Sequence, residues 1–443
     1  SGKYNIAMLN KESEAYRHFL FYLVGLFLFN IFVINTGIVV FGQDKTQLTN
    51  INRVFMVDPK YSDSWDPMFR SLRVFFEGED PTIYQKVFFN QKHKFQYPPT
   101  SLVIVDVLRK IFDPRELTGT VIDWISWFCL WGTILFSIMI FFDACHLYFP
   151  ENCLSTWVKI GLAVLLALSG LTFYPINRAF FLGQIQIWLD LFFAISLWLW
   201  LKNKESGSSV FLGLMSVIKP QMGLFVIWGL LRKRWKFCAG IVGVVTVFLL
   251  ISLWRYGLPS HLKYLEVLSF IGQHGETYFP NQSVNGLMNR LLFNGNNLEW
   301  DAWHFAPENV FVRVITIVTS ILLLFFAFAF NHKSTKEGWL SFATAGLVFT
   351  LASPVAWEHH YGILFPIFAL VIPKVWQMRN EWKSGPFLAF LAYILTANFY
   401  LFLNRLADTP WNFLQSYLFF GALLVLGILV KLQVLDGKLT PQA

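Results

Sequence analysis

The stretch Asp58-Pro59-Lys60-Tyr61-Ser62-Asp63-Ser64-Trp65-Asp66-Pro67-Met68-Phe69-Arg70, running on to Glu77-Gly78-Glu79-Asp80, sits in a polar interval of an otherwise apolar chain. The interval spans Gly42 to Pro99. An apolar run at 19–41 precedes it, and Tyr97-Pro98-Pro99 closes it just before a shorter apolar run at 100–112. A first helix of membrane length followed by 58 polar and aromatic residues reads as something built at the bilayer surface. Carboxylates held at a water–lipid boundary suit chemistry on a lipid-attached substrate.

Composition sets the class. The chain has 443 residues, 55% hydrophobic and 14% charged. Soluble domains run near 25% charged, so this reads as a polytopic membrane protein, and its long apolar runs make an all-α fold the expectation. Its 48 Phe and 18 Trp fit that class, since Trp favours the headgroup boundary. The net charge of +8 sits at the ends of apolar runs, which argues for loop bias and against nucleic-acid binding. Cys129, Cys145, Cys153 and Cys238 show no metal spacing, although Cys145 and Cys153 are close enough to pair in an oxidising loop.

Runs long enough to span fall near 19–41, 119–142, 156–174, 183–201, 208–231, 236–254, 309–330, 338–354, 359–376, 385–403 and 411–433. Counting 100–112 gives about twelve transmembrane helices. Lys and Arg mark cytoplasmic loops, and Arg232-Lys233-Arg234-Trp235-Lys236 is the strongest such group. With twelve spans it falls on the same side as the N-terminus and the groups near Lys333, Lys374, Lys383 and Lys431. The long loops 42–99 and 255–308 fall on the other side. Lys202-Asn203-Lys204 dissents, landing outside. A broken hairpin at Lys219-Pro220 would bring Lys202 inside, but then another span must be lost. Both long loops carry amphipathic segments suited to the membrane surface. In one of them Met68, Phe69, Leu72, Phe75 and Phe76 recur at helical spacing. That predicts a helix over 66–77 with Asp66 as N-cap, Pro67 at N1 and Gly78 ending it. No repeat or appended soluble domain is visible, so 1–443 reads as a single membrane domain.

Ionisable groups inside a membrane are costly and mark function. The polar constellations are Asp63 and Asp66; Phe95-Gln96-Tyr97-Pro98-Pro99; Gly183-Gln184-Ile185-Gln186; Ile218-Lys219-Pro220-Gln221; Asn281-Gln282-Ser283 with Arg290; and Ser353-Pro354-Val355-Ala356-Trp357-Glu358-His359-His360. Each has a plainer reading. Asp66 caps a helix, Asp63 is a solvated loop charge, Tyr97-Pro98-Pro99 is a turn, and Gln184 and Gln186 bridge helices. Arg290 caps its own helix, and Asp190 pairs with a neighbouring cation. Lys219, midway along 208–231, is harder to dismiss. His359 and His360, adjacent on a helix, point about 100° apart, so one faces a site and the other packs. Glu358 with a histidine is too small a set for a metal.

This series, in this order, resembles the GT-C glycosyltransferases of family 87, the polyprenol-phosphate-mannose-dependent type. The resemblance covers Asp63 to Tyr361 and implies a sugar donor on a polyprenyl phosphate, with no nucleotide domain; no cofactor is expected, and the use of a divalent metal stays open because GT-C families differ in it. It departs at Gln186, where the family more often has Asn, and in the spacing from the acidic residue to Gly78. The base therefore stays open between Asp66 and Asp63. An inverting displacement needs one general base and cations on the leaving phosphate. Lys219, Arg290, His359 and His360 suit the phosphate. Tyr97, Gln184, Gln186, Asn281, Gln282, Trp357 and Glu358 are the expected substrate contacts. The implied partners are the lipid-linked donor, a glycolipid or cell-envelope glycan acceptor, and membrane lipids. The implied location is a bacterial inner membrane, with the N-terminus cytoplasmic and the site extracytoplasmic. The competing reading is a lipid or sugar translocator using Lys219 and Asp190. Transporters often carry internal repeats, and none is seen.

Overall fold

The computed structural model describes residues 2–42, 45–112, 120–149, 155–330 and 338–439. Cys153, and with it the anticipated pairing to the buried Cys145, lies outside the described residues, as does the basic group at 332–336. The described chain is helical, with one isolated β-bridge between Asn281 and Trp357.

The first helix, α1 (Gly2–Val39), leads into α2 (Thr46–Met56) and α3 (Trp65–Phe76). The helix expected at 66–77 thus starts one residue early. Ser64 is its N-cap residue but turns its hydroxyl elsewhere, and Asp66 falls in the first turn. Its end is as anticipated. Gly78 has φ +73°, its N–H donates to the Phe75 carbonyl and the Glu79 N–H donates to that of Val74. That is a Schellman closure, for which glycine is the favoured residue. Pro98 and Pro99 then open α4 (Pro99–Ile111), with Pro99 in its first turn, where the missing N–H is harmless.

The remaining apolar helices are α5 (Ile122–Tyr148), α6 (Thr156–Thr172), α7 (Tyr174–Phe181), α8 (Gln186–Leu201), α9 (Glu205–Ile218), α10 (Phe225–Leu231), α11 (Trp235–His274), α12 (Val284–Leu291), α13 (Val310–Ala329), α14 (Trp339–Leu351), α15 (Leu364–Gln377), α16 (Gly385–Ala397) and α17 (Tyr417–Leu439). Among the described residues five helical segments are long and apolar enough to cross a membrane unaided. A sixth appears if α6 and α7, bent by 56° about Phe173, count as one. Two breakers shape the helices around the centre of the chain. Pro220 ends α9 and starts a 3₁₀ turn to α10. Gly257, at φ 74° and ψ 162°, breaks α11 just ahead of Pro259, so its second half belongs to the long loop.

Two sets of contacts fix how these pieces run. Arg234 Nη1 lies 2.6 Å from Glu205 Oε1, and Cys238 Sγ donates to the Val226 carbonyl. The starts of α9 and α11 therefore share one level, and α10, which ends at Leu231 just before Arg234 and packs along Cys238, returns to it. The pair α9–α10 is a hairpin that turns back at Lys219. At the other level, the guanidiniums of Arg109 and Arg255 lie 4.7 and 4.6 Å from the Phe76 ring, and both reach the buried Asp106, at 3.1 and 3.0 Å. Arg255 is 20 residues beyond Trp235, about 30 Å of helix from the basic turn. Arg109, near the far end of α4, sits beside it, so α4 does not reach the level of that turn. This differs from the reading of 100–112 as a spanning helix.

Lipid supplies no hydrophobic drive between helices, so polar pairs and close packing hold the bundle. Asn398 Nδ2 donates to Asn30 Oδ1 at 2.7 Å, Gln433 Nε2 to Thr344 Oγ1 at 3.0 Å and Trp188 Nε1 to Ser126 Oγ at 3.1 Å. Such pairs contribute roughly 0.6 kcal/mol each. The most apolar window of α13 is only 17% buried, so this helix is peripheral, while α14, α15 and α17 form the interior.

Candidate active site

The loop 60–64 is stitched to the turn between α7 and α8. The N–H groups of Lys60 and Tyr61 donate to the Phe181 carbonyl, that of Asp63 to Leu182 at 3.0 Å and that of Ser64 to Gly183. Gly183 has φ +61°, and a Cβ there would collide with the Tyr61 carbonyl, so both the backbone angle and the close approach demand glycine. The Ser64 hydroxyl is the hub. It accepts from the Ile185 N–H at 3.0 Å, donates to Gln184 Oε1 at 2.8 Å and meets Tyr97 Oη at 2.9 Å. Tyr97 and Gln184, far apart in sequence, are thereby placed beside Asp63.

The second long loop docks on the segment after α14. Asn281 Oδ1 accepts from the Ala356 N–H, and its Nδ2 donates to the Glu276 carbonyl. The Gln282 N–H donates to the Ala356 carbonyl, while its side chain bonds Phe279, Gln415 and the Phe419 N–H. The Tyr361 hydroxyl donates to the Gln282 carbonyl. Arg290 is fully buried, its guanidinium taken up by the carbonyls of Thr277, Tyr278, Phe279 and Asn281 and by Ser416 Oγ. Asn281, Gln282 and Arg290 hold this joint together and do not line the cavity it encloses.

That cavity has a volume of about 1220 Å³. Asp63, Asp66, Tyr97, Gln184, Lys219, Trp357, Glu358, His359 and His360 line it, so most of the expected site residues converge. Leu224, Leu268, Ile271, Leu324 and Phe349 form an apolar part of its wall. Asp63 faces the cavity and Gln184 Nε2 lies 3.4 Å from its carboxylate. Surrounding protein pushes the Asp63 carboxyl up to about 6; the Gln184 contact and the nearby Arg178 charge counter this, while Asp66 adds to it. Asp66 also opens to the cavity but has no hydrogen-bond partner among the described side chains.

Lys219, at the tip of the hairpin, is buried and donates to Gln186 Oε1 at 2.5 Å. Gln186 Nε2 in turn donates to Asp190 Oδ1 at 2.7 Å. Gln186 thus links the ammonium to a buried carboxylate from behind and is itself not in the cavity wall. His359 and His360 sit on a 3₁₀ turn, Glu358–Ile363, with rings 4.8 Å apart and nearly perpendicular. Both line the cavity, unlike the expectation that one packs away. Neither His359 ring nitrogen has a partner among the described residues, although the residue is only 4% exposed. Among the described residues no three His, Cys, Asp or Glu gather as metal ligands.

Sequence reasoning missed Arg178. It lies on α7, lines the cavity, and its Nε donates to Glu358 Oε1 at 3.1 Å; the same oxygen accepts from the Tyr174 hydroxyl at 2.8 Å. The signal was available, because Tyr174-Pro175-Ile176-Asn177-Arg178 is a polar helix start between two apolar runs. Trp300, 5.2 Å from Trp357, was also passed over as loop.

A helical membrane protein with a large cavity pairing a carboxylate with buried cations is the class the fold and site define. Residues 95–354, more than half of the chain, match the model of Glycosyltransferase family 87, and the chain belongs to that family. It is a glycosyltransferase. No curated protein and no solved structure matches it. Asp63, Asp66 and Trp357–His360 lie outside the matched stretch.

Proposed function

We propose that the protein transfers a sugar, with mannose the default by family, from a polyprenyl phosphate to a glycolipid or cell-envelope glycan, and that Asp63 is the general base. The observation that carries this reading is the convergence in one cavity of Asp63, with its carboxyl near 6, and of the Lys219 ammonium with the imidazoles of His359 and His360. The acceptor hydroxyl oxygen attacks C1 of the sugar and its proton passes to the Asp63 carboxylate. The C1–O bond to phosphate breaks, and the electron pair leaves with the polyprenyl phosphate. Charge building on that phosphate is met by Lys219 and the imidazoles, whose preorganisation in a water-poor site lowers the barrier. A carboxyl near 6 matches a base working around neutrality. The apolar wall suits the isoprenoid chain, and no metal or cofactor is needed. Gln184 holds Asp63 and Tyr97 braces Gln184 and Ser64, while Trp357 and Trp300 offer faces to sugar rings.

The same reading sets the topology. If the hairpin α9–α10 enters from the cytoplasmic side and α4 stays on the cavity side, the chain makes ten full crossings. Lys202 then joins the other basic loops inside, both termini are cytoplasmic, and the cavity opens to the extracytoplasmic face of a bacterial inner membrane. The two half-crossings, α9 and α10, carry Lys219 into the site.

The test is transfer in detergent, with a panel of polyprenyl-phosphate sugars and a total lipid extract as acceptor. A new glycolipid supports the reading. Folded protein that yields no product with any donor, yet moves lipid-linked sugar across sealed vesicles, would make it a translocator instead.

A further inference from the structure

Arg290 is the arginine that the sequence offers for the phosphate, but its guanidinium is spent on four carbonyls and a serine. Arg178 is placed very differently. Its Nε is fixed by Glu358 Oε1, and Glu358 is itself held by the Tyr174 hydroxyl and by its own N–H on the Pro280 carbonyl. The guanidinium rests 5.2 Å from the Phe181 ring centre. Among the described residues its two terminal nitrogens donate to nothing, and Arg178 lines the cavity with Asp63, Lys219, His359 and His360. An arginine anchored through Nε presents Nη1 and Nη2 as a planar fork, the geometry that takes two oxygens of a phosphate.

We infer that Arg178 is the bidentate ligand of the donor's phosphate, and that Glu358 is a positioning residue that aims it, not a contact to sugar. This rests on the polyprenyl-phosphate reading and adds the residue that would give the leaving group its orientation. It also explains a buried glutamate beside an anion site. Glu358 occupies one side of the guanidinium, so Arg178 cannot collapse onto Asp63, which shares the cavity wall with it.

The experiment is product inhibition of the detergent-solubilised full chain by plain polyprenyl phosphate, in wild type, Arg178→Lys and Arg178→Gln. Thermal unfolding of each variant is recorded beside it. Losing a charge-assisted two-point contact weakens the inhibitor by about tenfold or more in Arg178→Gln. Arg178→Lys keeps a point charge without the fork and falls between. The donor KM rises with the inhibition constant, whereas the acceptor KM holds, a split that a merely structural defect does not produce. If Arg178→Gln does not fold, Arg178→Lys alone decides. Wild type inhibited by polyprenyl phosphate together with equally inhibited folded variants overturns the inference. Wild type indifferent to polyprenyl phosphate overturns the donor reading itself.

Discussion

Asp63 gains its place from its neighbours' backbones. Four peptide N–H groups of the loop are satisfied by three carbonyls of the α7–α8 turn, and the carboxylate is left facing the cavity. Because its carboxyl is pushed from the ordinary 3.8 to about 6, the base is half protonated near pH 6. The rate kcat/KM should therefore fall on the acid side with a midpoint near 6 in a pH profile. The stability effect has the opposite sense. A folded-state value raised above the unfolded one gives stability that is full below about 4 and is lost as pH rises through 6. Asp63→Asn, unable to ionise, should then abolish transfer while leaving thermal stability at pH 7.5 equal to or above wild type. Gly183→Ala should cost on the order of 1–3 kcal/mol in unfolding experiments, from its positive φ and the Tyr61 carbonyl. Arg290→Lys should lower stability by about 2 kcal/mol or more through lost charge-assisted bonds. In the surviving folded enzyme the donor KM should be unchanged, which separates a structural arginine from a phosphate ligand.

At the scale of elements, the sequence was legible where a breaker has one meaning. Gly78 ended α3, Pro98-Pro99 opened α4, and Lys219-Pro220 marked a break. It misled where apolar content is shared between crossing and non-crossing helices. The run 100–112 is apolar enough to suggest a span, but its Asp106 is satisfied by Arg255 from the end of another helix, a contact with no local signature. The dissent of Lys202-Asn203-Lys204 was a second trace of the α9–α10 hairpin in the sequence, and the Arg234–Glu205 pair, which brings the two ends of the hairpin together, agrees with it. With the hairpin cytoplasmic, a cysteine replacing Asn203 should react with an impermeant thiol reagent only from the cytoplasmic face. Labelling from the outer face would restore twelve equal crossings.

At the scale of the whole molecule, two long loops and the tips of several helices close over one cavity, and the motifs divide into two kinds. Asn281 and Gln282 join the second loop to the Trp357 segment and Arg290 ties that loop together and to Ser416, while Asp63, Lys219, His359 and His360 face the space so enclosed. The sequence presents both kinds alike, as polar residues in apolar surroundings. Only the fold tells a side chain satisfied by carbonyls from one left open, which is why Arg290 was overvalued and Arg178 overlooked. The most direct test of the central claim is transfer from a polyprenyl-phosphate sugar by purified wild type, Asp63→Asn and Asp66→Asn in detergent, with the anomeric configuration of the product read by NMR. The account predicts an inverted product from wild type and Asp66→Asn and none from folded Asp63→Asn. Full turnover by Asp63→Asn, or a product with retained configuration, would contradict it.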